Sequence, residues 1–198
     1  MTVFDRDGNL LKTWGKEYVT HSHGAFIGPD DSIYYADDGN ARVHKFTPEG
    51  KLLRSWGEPG KGPGQFVVPH GIAVDKNDRV LVADRHNNRI QIFDSQGTYL
   101  TEWTDLMFPT DIFIDKDQTV YVSELMRPGI SIFDIKGKLL ASWGNEGQSK
   151  EDPLFVTLHA IVVDSEGSIY VVEVMGVQAG TPFFTTRKTR MIQKFYKK

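Results

Sequence analysis

Four stretches decide the fold: VFDRDGNLLKTWG (3–15), KFTPEGKLLRSWG (45–57), IFDSQGTYLTEWT (92–104) and IFDIKGKLLASWG (132–144). They align without a gap. Each reads as a strand, a polar turn holding one glycine, and a second strand. Gly8, Gly50, Gly97 and Gly137 fall where a hairpin needs positive φ, and the Asp, Pro and Ser residues ahead of them are turn formers. The four tryptophans of these blocks, Trp14, Trp56, Trp103 and Trp143, recur at intervals of 42, 47 and 40 residues.

A second block alternates with the first: HGAFIGPDDSIYYAD (23–37), HGIAVDKNDRVLVAD (70–84), TDIFIDKDQTVYVSE (110–124) and HAIVVDSEGSIYVVE (159–173). Each holds a short apolar run, a polar turn and a second strand. The two blocks together make a four-stranded unit of about 40–45 residues, the length of a propeller blade. The sequence therefore predicts an all-β chain, a β-propeller of four-stranded blades stacked face to face around an axis. Stacking on both faces explains strands that are apolar throughout, such as Val80-Leu81-Val82. A sandwich of unrelated hairpins is the competing arrangement, and gapless recurrence of two separate blocks disfavours it.

The repeats span 23–57, 70–104, 110–144 and 159–195 of a single domain, 1–198. Residues 1–15 read as a partial blade. Their strand Leu10–Trp14 is expected to supply the outer strand missing after residues 192–195, which would close the ring between the termini. Met175 to Arg190 reads as a surface insertion over one mouth of the channel.

Composition narrows the function classes. A chain of 198 residues can bury a real core. The absence of cysteine excludes disulfides, iron–sulfur clusters and thiolate metal sites. A net charge of −3 argues against a protein that grips nucleic acid or an anionic membrane. The basic residues are scattered, apart from a cluster at Arg187–Arg190 and the C-terminal lysines, and such clusters are usually solvated. Mean hydropathy is −0.36, and no apolar run approaches the ~18 residues of a membrane span. The N-terminus carries no charged-then-apolar leader. Neither nucleic acid nor membrane is expected as a partner.

Of the six histidines, His23, His70 and His159 open the inner-strand block, where the remaining repeat has Thr110. Inner strands of a propeller run the same way and line the axis, so these first residues converge on one mouth. Three neutral imidazoles around one axis suit Zn²⁺ and leave a fourth position for water or substrate. A histidine opening such a strand can also simply cap a turn. His21 reads as a neighbour or a substitute ligand, and His44 and His86 as surface residues.

ADRHNNRIQIFD (83–94) closely matches the pattern of the NHL repeat. VPHGIAVD (68–75), SWGEPGKGPGQF (55–66) and PTDIFID (109–115) resemble the bacterial relatives of peptidyl-α-hydroxyglycine α-amidating lyase, over essentially the whole chain. That family has six blades against four recognisable repeats here, so the resemblance implies that most of a first blade is missing. It implies a metal-dependent carbon–nitrogen lyase that splits a C-terminal α-hydroxyglycine into a peptide amide and glyoxylate. It also implies Zn²⁺ on the three histidines and a structural Ca²⁺. Arg85 matches an active-site arginine. The base is a tyrosine in the family; Asp38 stands at its aligned position, and Tyr35 is the nearby candidate. The expected partner is a peptide or small-molecule substrate at the axial mouth, with homodimer formation through open strand edges. The alternative is a non-catalytic NHL propeller that binds a peptide or protein. A calcium-dependent lactonase ranks last, because such sites use carboxylate and Asn ligands where this chain has histidines.

Overall fold

The structure, a computed structural model, describes residues 1–144, 154–174 and 191–196. The insertion 175–190 and the two C-terminal lysines lie outside the described residues. A hairpin comes first, β1 (Thr2–Phe4) and β2 (Leu10–Thr13). Blade 1 follows with β3 (Ser22–Ile27), β4 (Ile33–Asp37), β5 (Arg42–Phe46) and β6 (Leu52–Trp56). A small parallel pair, β7 (Glu58–Pro59) and β8 (Gln65–Phe66), leads to blade 2. Blade 2 holds β9 (Pro69–Val74), β10 (Val80–Asp84), β11 (Arg89–Phe93) and β12 (Tyr99–Trp103), with a single 3₁₀ turn at Arg85–Asn87. Blade 3 is β13 (Pro109–Ile114), β14 (Val120–Glu124), β15 (Gly129–Phe133) and β16 (Leu139–Gly144). Blade 4 is β17 (Leu158–Val163), β18 (Ile169–Glu173) and β19 (Ile192–Phe195). Within every blade the strands are antiparallel and ordered as in the chain. The fold is thus all-β and four-bladed, as the repeats predict.

One expectation fails. Leu10–Thr13 does not complete the last blade: β2 pairs with β1, and among the described residues β19 pairs only with β18. The hairpin packs on blade 1 instead, as the outer half of a blade ahead of it. The reason is a joint that repeats between neighbours. Each tryptophan packs against the phenylalanine that ends the next blade's third strand, with ring centroids 5.0 Å apart for Trp14 and Phe46, 5.9 Å for Trp56 and Phe93, 5.5 Å for Trp103 and Phe133 and 4.9 Å for Trp143 and Phe195. The turn glycine of the next blade makes room for the indole. A Cβ on Gly97 would come within 2.7 Å of Trp56, and its φ of +82° also disfavours any side chain.

Successive side chains of a strand face opposite neighbouring blades, so a strand such as β10 is buried at every position. In β10, Val80 and Val82 face blade 1 and pack with Tyr34, Val43 and Phe93. Leu81 and Ala83 face blade 3 and pack with Ile112, Val120 and Val122. A third cluster, around Phe155, Leu158 and Val171, joins blades 3 and 4. Each core therefore lies between two blades, and a fully buried Val, Leu or Phe contributes about 1.5–3 kcal/mol there.

A candidate metal centre at the axial mouth

Every inner strand opens with the same irregularity. The pairing register slips between Ser22 and Ala25 in blade 1, between Pro69 and Ile72 in blade 2, between Pro109 and Asp111 in blade 3, and between Leu158 and Ala160 in blade 4. His23, His70, Thr110 and His159 sit in these bulges, which re-aim a side chain without ending the strand. The approach to each bulge is pinned by a buried carboxylate at the end of the second strand. Asp37, Asp84, Glu124 and Glu173 accept the backbone N–H of Thr20, Val67, Met107 and Val156, in each case three residues before the bulged position.

The three histidines meet. Ring centroids lie 3.9 Å apart for His23 and His70, 4.8 Å for His70 and His159, and 6.2 Å for His23 and His159. One ring nitrogen from each lies within 4.8 Å of the other two. For an ion at ~2.0–2.1 Å from each nitrogen, the donors need draw in by no more than about 0.7 Å. The rings line a cavity of about 240 Å³ with Gly24, Gly71, Thr110, Asp111 and Ala160.

His70 is the best-defined donor. Its ring is buried, Nδ1 donates to the Thr110 carbonyl at 2.6 Å, and Nε2 has no hydrogen-bond partner. A backbone carbonyl on one nitrogen sets the tautomer and leaves the other nitrogen's lone pair free, the usual arrangement of a metal-ligating histidine. Burial, reinforced by His23 and His159, pushes the His70 pKa down to about 3. Burial lowers His23 and His159 as well, with nearby Arg85 adding to the effect on all three. The trio is therefore neutral at pH 7, the form that binds metal.

Arg85, in the 3₁₀ turn after β10, reaches this group electrostatically. Its Nε is buried without a hydrogen-bond partner, and the Asp38 carboxylate supports its charge. Tyr35 does not join the mouth. It packs against Trp14 and Phe46, at 6.4 and 6.1 Å, and lines no part of the axial cavity. Strand alternation turns it toward the β1–β2 hairpin and sends Tyr34 into the core with blade 2.

His44 is not a surface residue. It is buried on β5, with Nδ1 at 2.7 Å from the Ser55 hydroxyl and Nε2 at 3.5 Å from Asp37. The signal was present in the repeat. The same position of each third strand is polar, at His44, Gln91, Ser131 and Gln193, and the last three bond the second-strand carboxylate of their own blade. Asp111 also escaped sequence reasoning. It stands where the other inner strands have Gly24, Gly71 and Ala160, and its carboxylate accepts the backbone N–H of Ile112 at 2.9 Å and of Ile161 at 3.1 Å. Burial raises its pKa to about 6.

Comparison with known proteins agrees with this architecture. The NHL repeat pattern matches residues 66–93. The chain is a β-propeller with an NHL repeat. Its propeller is similar to streptogramin B lyase (TM-score 0.68, 18% identity, 88% of this chain and 55% of that one). It is also similar to a catalytically inactive virginiamycin B lyase from Staphylococcus aureus with quinupristin (TM-score 0.67, 14% identity, 87% and 55%). A protein of unknown function from Bacteroides caccae matches with a TM-score of 0.75 at 14% identity, over 96% of this propeller and 69% of that chain. At these identities the likeness is one of fold. This propeller spans about half the length of the two lyases. A 50-residue stretch, 22% of the chain, is 42% identical to peptidyl-glycine alpha-amidating monooxygenase of Mus musculus, of which it covers 5%.

Proposed function

We propose that the axial mouth is the active site of a zinc-dependent carbon–nitrogen lyase, which converts a peptidyl-α-hydroxyglycine to a peptide amide and glyoxylate. The observation that carries this reading is the His70 ring: buried, oriented through one nitrogen by the Thr110 carbonyl, and without a partner on the other. His23 and His159 complete a set of three neutral donors. Zn²⁺ on these residues would keep an open position and acidify a substrate hydroxyl bound there. Arg85 is suited to hold the substrate carboxylate, because its buried Nε lacks a partner and a guanidinium fork binds carboxylates bidentately. In the reaction the hydroxyl oxygen gives up its proton, the carbon–nitrogen bond breaks, and the amide nitrogen takes up a proton. The hydroxyl-bearing carbon becomes the aldehyde of glyoxylate, and no water is consumed. The short similarity to the mouse peptidyl-glycine alpha-amidating monooxygenase supports a reading in peptide amidation.

The test is glyoxylate release from a peptide ending in α-hydroxyglycine, together with metal analysis of protein purified without chelator. The expected result is bound zinc and a release that His70→Ala abolishes. Absence of zinc, or release unchanged in His70→Ala, would refute the reading. A second reading, a scaffold that binds a peptide or protein without turnover, is favoured by one observation: Tyr35 packs against Trp14 and Phe46, away from the mouth. It expects the same peptide to bind with no amide formed.

A further inference from the structure

Beside the three-histidine cluster lies a second group of donors. His21, His23 and Asp38 each present one ligand atom within 4.8 Å of the other two. The two oxygens of Asp38 face different imidazoles. Oδ1 contacts His21 Nδ1, and Oδ2 lies 3.5 Å from His23 Nε2. The His21 and His23 rings meet edge to face at 5.2 Å.

The backbone that carries these donors is common to all four blades; the donors are not. The residue after each second-strand carboxylate donates its N–H to the residue two before the bulged position. The pairs are Asp38 to His21, Arg85 to Val68, Leu125 to Phe108 and Val174 to Thr157, at 3.0–3.2 Å. The other blades fill these two positions with Val and Arg, Phe and Leu, or Thr and Val, and keep the same geometry. The fold therefore does not require histidine and aspartate here. In blade 1 the scaffold is also rigid before any ligand arrives. Asp37, fully buried, accepts from Thr20 N, Thr20 Oγ1 and His21 N at 2.8–3.0 Å. Donors held in place by buried hydrogen bonds are what a metal site needs.

We infer that His21, His23 and Asp38 form a second divalent-cation subsite, abutting the three-histidine site and sharing His23 with it. Two imidazoles and one carboxylate suit Zn²⁺, Co²⁺ or Ni²⁺ rather than Ca²⁺ or Mg²⁺, which take all-oxygen sets. The subsite opens to solvent through His21, whose side chain is 67% exposed, so a cation reaches it without passing the first site. Because His23 belongs to both clusters, occupancy of one subsite alters the affinity of the other.

The two sites are separated by variants that touch one set only. Metal binding is measured by titrating the chelator-stripped full chain with Zn²⁺, and with Co²⁺ as a visible-absorption probe. Far-UV circular dichroism checks the fold, and His159→Ala serves if His70→Ala does not fold. The inference expects His70→Ala to keep one Zn²⁺. Adding Asp38→Asn or His21→Ala in that background weakens the remaining binding by at least about tenfold. If His70→Ala binds no cation while Asp38→Asn alone still binds one, the second subsite is refuted and the three-histidine reading stands. If cation binding survives His70→Ala but is lost in Asp38→Asn alone, the inference stands and the three-histidine reading falls. No cation in the unmodified chain refutes both.

Discussion

Asp111→Asn isolates the electrostatic cost of the axial channel. The Asp111 carboxyl lies in the channel wall with two backbone N–H donors and no cationic partner setting its pKa, so burial raises that value from 3.8 to about 6. A folded-state pKa above the unfolded one means that the group's stability contribution is intact below about pH 4 and is lost as pH rises through 6. At pH 7 the ionised carboxylate costs about 3 kcal/mol; at pH 4.5 it costs about 1 kcal/mol. Asparagine cannot ionise and keeps one acceptor oxygen for two N–H groups, which forfeits about 1 kcal/mol at every pH. The variant should therefore match the parent near pH 4.5 and exceed it by about 2 kcal/mol at pH 7. Equilibrium urea unfolding, followed by tryptophan fluorescence from the blade joints, measures the difference across this range. A stability difference that does not change with pH would refute the reasoning, because it would mean that Asp111 titrates alike in the folded and unfolded chains.

Two further outcomes test the architecture. Trp103→Ala removes the indole stacked on Phe133 and is expected to cost about 3–5 kcal/mol in urea unfolding. Trp14→Ala, at the edge of the array, should cost less. Asp84→Ala removes the buried carboxylate that Arg89 Nε meets at 2.8 Å, leaving the guanidinium to Glu102 alone among carboxylates, and strips the Val67 N–H and the side-chain amides of Asn87 and Gln91 of an acceptor, so a loss of about 3 kcal/mol is expected from the unfolding midpoint.

The histidine cluster was legible because repetition turns sequence position into spatial position. Once His23, His70 and His159 opened equivalent strands, their convergence followed from the shared direction of those strands. The surroundings of Tyr35 and His44 are not legible in the sequence, for a common reason. Both lie in blade 1, where alternation assigns a face but does not say what covers it. The β1–β2 hairpin covers the Tyr35 face through Trp14, and Asp37 with Ser55 encloses His44. In the sequence Asp38 stands out only as the residue in a tyrosine's place; its nearness to two imidazoles arises between the end of β4 and the start of β3, which the chain order alone does not bring together.

The amino-acid sequence by itself determined the blade, the number of recognisable repeats and the residues at the head of each inner strand. These depend on local pattern: turn glycines, apolar alternation and the closing tryptophan recur at short range in the chain. Only the tertiary structure decided that the N-terminal hairpin stacks on blade 1 rather than completing blade 4. The repeat alone cannot choose, because Leu10–Thr13 has the outer-strand pattern and satisfies either partner. Contact between blades settles it. Likewise the sequence names three histidines, but the nearness of their rings, the free Nε2 of His70 and the second set of donors come from bulges and buried carboxylates acting across separate strands.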